Sequence, residues 1–236
     1  MKVAKYIVAM VAAVMATAYA GQSVIATPAP QSTSGTWGVE VAAVYNWGLN
    51  QYMKSDVIGK KNHINTVGGD ITGVYNIDDN QAVTLRVGYG YGQDKFALVD
   101  DSYSNTLRDP NWHAKEVLHQ FTIMPGYRYT WDINQSWSVY AGANVGLAAN
   151  VAKLDVTEEL DRRSSYTESA HKSAWGFAWS VEVGGKYQID EHWNAFAAVS
   201  YSGNTARPNI KYDGYSVGKV RTQQYIGVRL GVGYEF

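Results

Sequence analysis

The five histidines are the residues best suited to acid–base or metal chemistry near neutral pH, and their spacing limits what they could do. They are His63, His113, His119, His171 and His192, and no two of them have the spacing of a metal-ligand set. The chain has no cysteine, which excludes disulfides, thiolate metal sites and cysteine nucleophiles. We therefore expect neither a metal ion nor a cofactor.

One histidine stands two residues before a serine, in His171-Lys172-Ser173. On a strand these two side chains share a face, so a general base could reach a nucleophile. The pair resembles the His-x-Ser of outer-membrane lipid A deacylases, whose fold is an eight-stranded barrel. The surrounding residues of that family are missing, and no carboxylate stands at a matching spacing. A chance pairing is the better interpretation, and lipid A modification is kept as an alternative function.

Eight charged residues, four of each sign, alternate with apolar residues and share their face with glycines and small polar residues. They are Glu40, Asp70, Arg86, Arg128, Glu182, Lys186, Arg229 and Glu235. Such a face suits a tight interior, where each charge needs a partner because an unpaired buried charge is costly. We interpret the eight as one salt-bridge network, with Asp70 and Arg86, on neighbouring strands, as one contact. A narrow, gated ion path is the alternative.

The last thirteen residues show most clearly what positions these charges. Residues 224–236 put aliphatic and aromatic side chains on one face and three glycines, Arg229 and Glu235 on the other. Period-two alternation over this length predicts a long β-strand with its apolar face towards lipid and its other face towards a narrow lumen. The strand ends on an aromatic residue. Leu230, Val232, Tyr234 and Phe236 resemble the C-terminal signal that the barrel-assembly machinery reads.

Seven further runs alternate in the same way, which predicts an all-β fold: an eight-stranded antiparallel up-and-down transmembrane β-barrel. Only helices and closed barrels satisfy their backbone hydrogen bonds in lipid, and after residue 20 no apolar stretch is long enough for a spanning helix. Tyrosine and tryptophan are abundant, at 18 and 8 residues, and fall near both ends of the runs as interfacial belts do. The seventh run is weaker because Phe196 falls on its polar face. Pro125 lies inside the fourth run, where we expect a bulge.

The connections between the runs alternate in length. Three are tight turns, at residues 78–80, 132–136 and 190–192, and each follows a Tyr-x-x-Asp sequence. Four are long and polar, at residues 48–63, 93–115, 150–173 and 203–222. Short turns at one rim and long loops at the other are typical of outer-membrane barrels, with the turns in the periplasm. An even number of strands then places both termini in the periplasm.

The chain divides into three segments. Residues 1–20 have the features of a cleavable signal peptide: Lys2 and Lys5, a short apolar run, and a cleavage site at Ala18-Tyr19-Ala20. Residues 21–35 are small and polar, and we expect a flexible periplasmic segment. Residues 36–236 form the barrel. The chain has a formal charge of −1, which becomes −3 without Lys2 and Lys5, and this argues against a nucleic-acid partner.

From residue 36 to the end, the chain resembles the small eight-stranded outer-membrane barrels of the OmpX type, the OmpA transmembrane domain and the opacity-protein type. The resemblance rests on eight strands, alternating connection lengths and the terminal Phe236. It implies a non-catalytic protein in the outer membrane of a Gram-negative-type bacterium. Such a protein would act through its surface loops in adhesion, surface interaction or envelope integrity.

The long loops are therefore the expected sites of contact with a host or cell-surface ligand. Residues 93–115 and 150–173 carry aromatic and charged residues suited to such contact, namely Tyr103, Trp112, Arg162, Arg163 and Tyr166. The last loop is basic, and lipopolysaccharide phosphates are a fitting partner for Arg207, Lys211, Lys219 and Arg221. Outer-membrane lipid surrounds the barrel wall in this interpretation.

Overall fold

Eight strands close into a single antiparallel barrel, which confirms the predicted fold class. The computed structural model describes residues 34–50, 53–54, 63–97, 111–161, 164–212 and 215–236. The barrel strands are β1 (Trp37–Gly48), β3 (Thr66–Asn76), β4 (Gln81–Ala97), β5 (Asn111–Asp132), β6 (Trp137–Asp161), β7 (Ser164–Gln188), β8 (Trp193–Asn204) and β11 (Gln223–Glu235). Each pairs with the next along the chain, and β11 closes the barrel against β1.

Three short strands form a second sheet outside the barrel. They are β2 (Met53–Lys54), β9 (Asn209–Tyr212) and β10 (Tyr215–Val220), in the order β2-β10-β9. No described stretch forms a helix long and apolar enough to cross a membrane. The N-terminal 33 residues, including the predicted cleavage site at Ala18 and Ala20, lie outside the described residues, so the signal peptide stays a prediction.

Exposure alternates residue by residue along the strands, with the apolar side chains outside. In β1, Trp37, Val39 and Val41 are exposed on the outer face, whereas Glu40 and Ala42 are buried inside. All eight predicted runs have the faces that their alternation indicated. The exposed face is apolar because its solvent is lipid, so the usual relation between polarity and exposure is inverted.

Outward aromatic side chains pair at both ends of this apolar band. At the end that carries the tight turns, which we call the turn end, the pairs are Trp37–Tyr75, Trp137–Tyr187 and Trp193–Tyr234. At the opposite end, the loop end, they are Tyr45–Trp47, Tyr89–Phe121 and Trp179–Tyr201. Tyrosine and tryptophan favour the two membrane–water interfaces, so these pairs mark the limits of the band.

The three tight turns share one hydrogen-bonded motif, which differs from the predicted Tyr-x-x-Asp repeat at one turn. The side-chain oxygens of Asp78, Asn134 and Asp190 each accept hydrogen bonds from the backbone N–H groups two and three residues later. The capping residue of the second turn is thus Asn134 and not Asp132. At Asp190 the N–H groups of His192 and Trp193 hold the carboxyl pKa below its ordinary value.

The expected bulge at Pro125 is absent. Pro125 is paired with Leu85 of β4 in an unshifted register. On its other side, the β5–β6 ladder skips Met124 and Pro125 and resumes in the same register, with Ile123 opposite Leu147 and Gly126 opposite Asn144. The missing proline N–H therefore interrupts one ladder locally without displacing the strand.

Strands extend into the predicted long loops: residues 150–173 are almost entirely strand, and residues 93–115 and 203–222 are strand in part. The predicted loop at residues 150–173 is a ladder between β6 and β7 that runs as far as Asp161 opposite Ser164, with one register shift between Glu159 and Asp161. In the predicted loop at residues 93–115, β4 and β5 remain paired as far as Ala97, which stands opposite His113. In this extension Ala152 and Leu154 point inward and are buried, while Lys153 is exposed on the outside. The alternation of outward apolar residues ends before this extension, so it does not predict these strands.

Replacing Val183 by Arg tests the facing of the barrel wall. Val183 is 65% exposed and lies midway between Trp179 and Tyr187, which belong to opposite belts of β7. A charge facing lipid at mid-membrane costs roughly 2–4 kcal/mol of unfolding free energy. Urea unfolding in lipid vesicles measures the loss. The control is Ile189→Arg, in an exposed turn, which should cost little; equal stability of both variants would contradict the lipid-facing assignment.

Candidate functional site

The structure brings all eight charged residues singled out from the sequence into one connected set of ion pairs inside the barrel. We call this set the lumen network. Six of its members are at most 7% exposed, and the remaining two, Lys186 and Glu235, lie towards the turn end. The positions come from six different strands, so only barrel closure brings the charges together. With four charges of each sign, the network is neutral.

Glu182 is the centre of the lumen network. Its two carboxylate oxygens accept hydrogen bonds from Arg86 Nη2 at 2.6 Å and from Arg229 Nη1 at 2.7 Å. Arg128 Nη2 lies 3.8 Å from the same carboxylate. The Glu182 side chain is 1% exposed, so three guanidinium groups surround a carboxylate that water hardly reaches. Charge-assisted pairs of this kind are strong only when each charge is satisfied, as this one is.

Asp70 pairs with Arg229 and not with Arg86, so the predicted Asp70–Arg86 contact is wrong. Arg229 Nε and Nη2 donate to the two Asp70 oxygens at 2.9 and 2.7 Å, a bidentate arrangement. In the β3–β4 hairpin, Gly88 stands opposite Asp70 and Thr72 opposite Arg86. Because both guanidinium groups extend across the lumen, hairpin adjacency does not determine their partners.

A second branch of the network runs towards the turn end. Arg128 donates to both oxygens of Glu40, at 2.5 and 2.8 Å. Lys186 Nζ then lies 3.6 Å from Glu40 and 3.5 Å from Glu235. These pairs become longer and more exposed towards the rim, where Glu235 is 20% exposed. The strongest contacts are thus at the centre of the barrel.

Two aromatic rings fill the interior beside the charges. Tyr140 and Phe196 form a buried cluster with Ala42 and Ala198. The Arg128 guanidinium lies 4.4 Å from the centroid of the Tyr140 ring, a cation–π contact. A Cβ atom at Gly184 would lie 2.6 Å from Tyr140 Cζ, so the absence of a side chain there makes room for the ring. Phe196, the exception in the seventh run, is therefore part of the lumen packing.

Between the network and the loop end lies a cavity of about 80 Å³. Its walls include Asn46, Gln120, Ser180, Ser202 and Tyr225. The space is large enough to hold water molecules, and these polar side chains offer them hydrogen-bond partners.

The chain after β8 folds inward near the loop end of the lumen. Ala206 is fully buried against Met124, Ala148 and Ala178. The amide nitrogen of Asn150 donates to the Ala206 carbonyl at 3.0 Å and to Asn204 Oδ1 at 2.9 Å. A segment held by both apolar packing and buried hydrogen bonds is part of the fold and narrows the opening at this end.

His171 and Ser173 lie on a strand and not in the predicted loop; they share the outer face of β7, and both are exposed. Lys153 stands opposite His171 and Val151 opposite Ser173. Among the described residues, no hydrogen bond joins His171 to Ser173 or to a carboxylate. The described part of the chain also holds no cluster of three His, Asp or Glu residues that could bind a metal ion.

The C-terminal residues singled out from the sequence all lie on the outer face of β11. Val232 and Phe236 are exposed, and Leu230 and Tyr234 are half-buried. Tyr234 contacts Trp193, with ring centroids 5.0 Å apart, and Phe236, at 5.2 Å. Their role as an assembly signal stays a prediction.

Comparison with protein-family models gives a match to the outer membrane protein beta-barrel domain over residues 6–236. The chain belongs to this family of outer-membrane β-barrels. A search of curated proteins finds no match.

Several solved structures of outer-membrane barrels resemble this chain in fold. OprG from Pseudomonas aeruginosa has a TM-score of 0.50 and 16% identity, with 86% of this chain and 96% of that chain covered. Ail of Yersinia pestis, solved with the heparin analogue sucrose octasulfate, has a TM-score of 0.40 and 14% identity over 86% and 99%. Outer membrane protein W of E. coli has a TM-score of 0.37 and 17% identity over 86% and 98%.

Neutralising Glu182 tests the centre of the network. Glu182→Gln should lower the free energy of unfolding by roughly 3–5 kcal/mol because it leaves buried guanidinium groups without their counter-charge. Glu235→Gln is the matched control: it removes the same charge near the rim, where a single pair at 3.5 Å is lost, and should cost less than about 1 kcal/mol. Urea unfolding in vesicles gives both values. Equal losses would show that the network has no dominant centre.

Proposed function

We propose that this outer-membrane barrel is non-catalytic, that its lumen is closed by the lumen network, and that it acts through the loop-end wall. The observation that carries the proposal is the length of the strands: β5, β6 and β7 have 22, 25 and 25 residues, whereas β1 and β8 have 12 each. The extra length all lies beyond the loop-end aromatic belt, and a barrel needs only about 9–11 residues to cross lipid.

The extension makes a rigid surface and not a flexible loop. Eleven residues separate Trp175 in the belt from the beginning of β7 at Ser164, which for tilted strands corresponds to roughly 25–30 Å. The ladder between β6 and β7 pairs residues over this whole distance, with one register shift at its distal end, between Glu159 and Asp161. A preformed surface loses less conformational entropy when it binds a partner than a flexible loop does. This favours adhesion or another surface interaction over a purely structural role in the envelope.

In this proposal the turn end faces the periplasm and the loop end faces the cell exterior. Both β1 and β11 have their chain-terminal ends at the turn end, so both termini are periplasmic. Tight turns are typical of the periplasmic rim of such barrels, and longer connections are typical of the extracellular rim. Outer-membrane lipid and lipopolysaccharide are then neighbours of the wall, and the barrel-assembly machinery is a transient partner at residues 230–236.

The packing of the lumen argues against the alternative function, a narrow ion channel. Arginine–carboxylate pairs and two aromatic rings fill the centre, and opening a path would require breaking buried ion pairs. The lumen surface also carries no excess of either sign. The lipid A-modifying alternative has less support, since His171 has no hydrogen-bonded carboxylate among the described residues.

Purified protein in planar bilayers should therefore show no stable conductance in physiological salt, because side chains fill the lumen. The Glu182→Gln variant, refolded and checked by gel mobility with and without heating, serves as a control for leakage caused by a loosened network. Large, reproducible conductance steps from the wild-type protein would replace the closed-lumen proposal by the channel.

Trimming the extension tests where the function lies. We replace residues 96–114 and 156–168 by Asn-Gly turns, which join Lys95 to Lys115 and Asp155 to Ser169 at positions that are already opposite each other. The barrel and the buried residues Leu118 and Leu154 are kept. The trimmed protein should fold, as shown by heat-modifiable gel mobility, but should lose ligand capture or adhesion by intact cells. Unchanged adhesion would place the function in the remaining loops, wall or lumen.

A further inference from the structure

The outer face of the wall changes character just beyond the loop-end belt. The registers align successive rows of outward residues across β4, β5, β6 and β7. One row contains Tyr91 and His119, whose neighbours Tyr89 and Phe121 belong to the belt; Tyr89 Oη lies 2.8 Å from His119 Nδ1. The next two rows on the side away from the lipid band are basic.

The two rows together contain four basic residues. We call these four residues the basic row: Lys95, Lys115, Lys153 and His171. Lys95 stands directly opposite Lys115, and Lys153 directly opposite His171. Lys95 and His171 are exposed, the Lys153 side chain is 48% exposed, and Lys115 is half-buried. Four basic side chains on adjacent strands form a continuous patch, since neighbouring strands are about 4.8 Å apart.

Asp155 is the one acidic residue among the described outward positions of these rows. Its carboxylate accepts a hydrogen bond from Ser169 Oγ at 2.5 Å and lies 3.0 Å from Lys153 Nζ. Burial raises the pKa of Asp155, but the bonds from Ser169 and Lys153 outweigh it and hold the pKa below the ordinary value. Asp155 therefore offsets one lysine and leaves a net positive patch.

The only acidic outward neighbour of the opposed lysines among the described residues of these rows is Asp155, which stands opposite Lys115 in the β5–β6 ladder and is already paired with Lys153. Neither Lys95 nor Lys115 forms a salt bridge within 4.0 Å to a carboxylate in the described part of the chain. Like charges directly opposite each other on a sheet destabilise it, and an anion bound between them would remove the repulsion. The pairing of Lys95 with Lys115 thus creates a site at which a negatively charged ligand would reduce the electrostatic repulsion.

The position of the basic row selects the ligand. It faces sideways from the wall and lies two to three rows, roughly 10–15 Å for tilted strands, beyond the belt that marks the interface. Lysine side chains are long enough to reach towards the interface while their stems cover the wall. A soluble partner would approach the distal end of the extension, whereas the headgroups of the surrounding lipid are at the height of this row.

We propose that Lys95, Lys115 and Lys153, with His171 and Ser169 beside them, bind the phosphate groups of an anionic glycolipid of the outer leaflet. Lysine binds phosphate as a mobile point charge, which suits a lipid that diffuses in the membrane plane. The inference rests on the proposed orientation, with the loop end outside. It does not depend on the distal parts of the hairpins, since the trimmed protein described above keeps all of these residues.

The test is a lipid titration of the folded, detergent-solubilised barrel, followed by native mass spectrometry. The probes are bisphosphorylated lipid A, dephosphorylated lipid A and phosphatidylcholine. The test variant is Lys95→Gln/Lys115→Gln. The matched control is Lys172→Gln/Arg221→Gln, which removes two exposed positive charges near the same end of the barrel but off the basic row. Gel mobility with and without heating establishes that each variant folds.

Bisphosphorylated lipid A should bind the wild type more tightly than the other two lipids. The test variant should bind it roughly twenty- to thirty-fold more weakly, given the contribution of each basic residue near a charged surface. The control variant should change little. Asp155→Asn should instead strengthen binding, because it removes the acid that offsets Lys153.

Several outcomes would overturn the proposal. If dephosphorylated lipid A binds equally well, phosphate is not recognised. If both double variants lose affinity equally, the attraction is general, and if the control alone loses it, the basic last loop is the site. If millimolar inorganic phosphate abolishes lipid binding, the site is for a free anion.

Lipid binding that persists in the trimmed protein while adhesion is lost would separate this proposal from the surface function.

Discussion

The pairing of β1 with β11 is the constraint on which the rest of the structure depends. Backbone groups in lipid have no water to satisfy them, so the first and last strands must close the ladder. Closure of eight strands leaves an interior that side chains fill. Most inward positions are then small, polar, aromatic, or charged and paired. The glycines of β11, the Tyr140 ring and the arginines across the lumen are consequences of the same narrow cylinder.

Within that cylinder the lumen network shows why charges can occupy a core. An isolated charge there would be very unfavourable, and a pair of charges recovers its desolvation cost only with good geometry. Glu182 meets this condition through two guanidinium groups at 2.6 and 2.7 Å, and Asp70 through a bidentate contact with Arg229. Glu182 alone has partners on three strands, β4, β5 and β11. The network therefore links distant strands of the wall, which the ladder joins only to their neighbours.

The sequence was sufficient for the barrel and for the facing of its wall because lipid imposes a simple rule on alternate residues. It was not sufficient for partners across the lumen: Asp70 and Arg86 are hairpin neighbours, yet their side chains bind Arg229 and Glu182, whose proximity comes from closure alone. The outer halves of β6 and β7 were missed for another reason. Around Lys153 and Leu154 the apolar residues point inward, so a pattern defined by lipid no longer applies, and polar residues were interpreted as a loop.

This reversal of polarity along single strands connects the fold to its function. On β7, Trp175 and Val183 face lipid, whereas His171, four residues before Trp175, is exposed among polar residues. The same hydrogen-bond ladder thus continues from the lipid-facing part of the wall into the polar extension. The change from apolar to polar outward residues coincides with the belt of Tyr89 and Phe121. A wall that is continuous through the interface transmits the rigidity of the membrane-embedded barrel to the surface beyond it. In the proposed orientation, the residues at the transition are at the height of the lipid headgroups, and the strands beyond them extend away from the membrane.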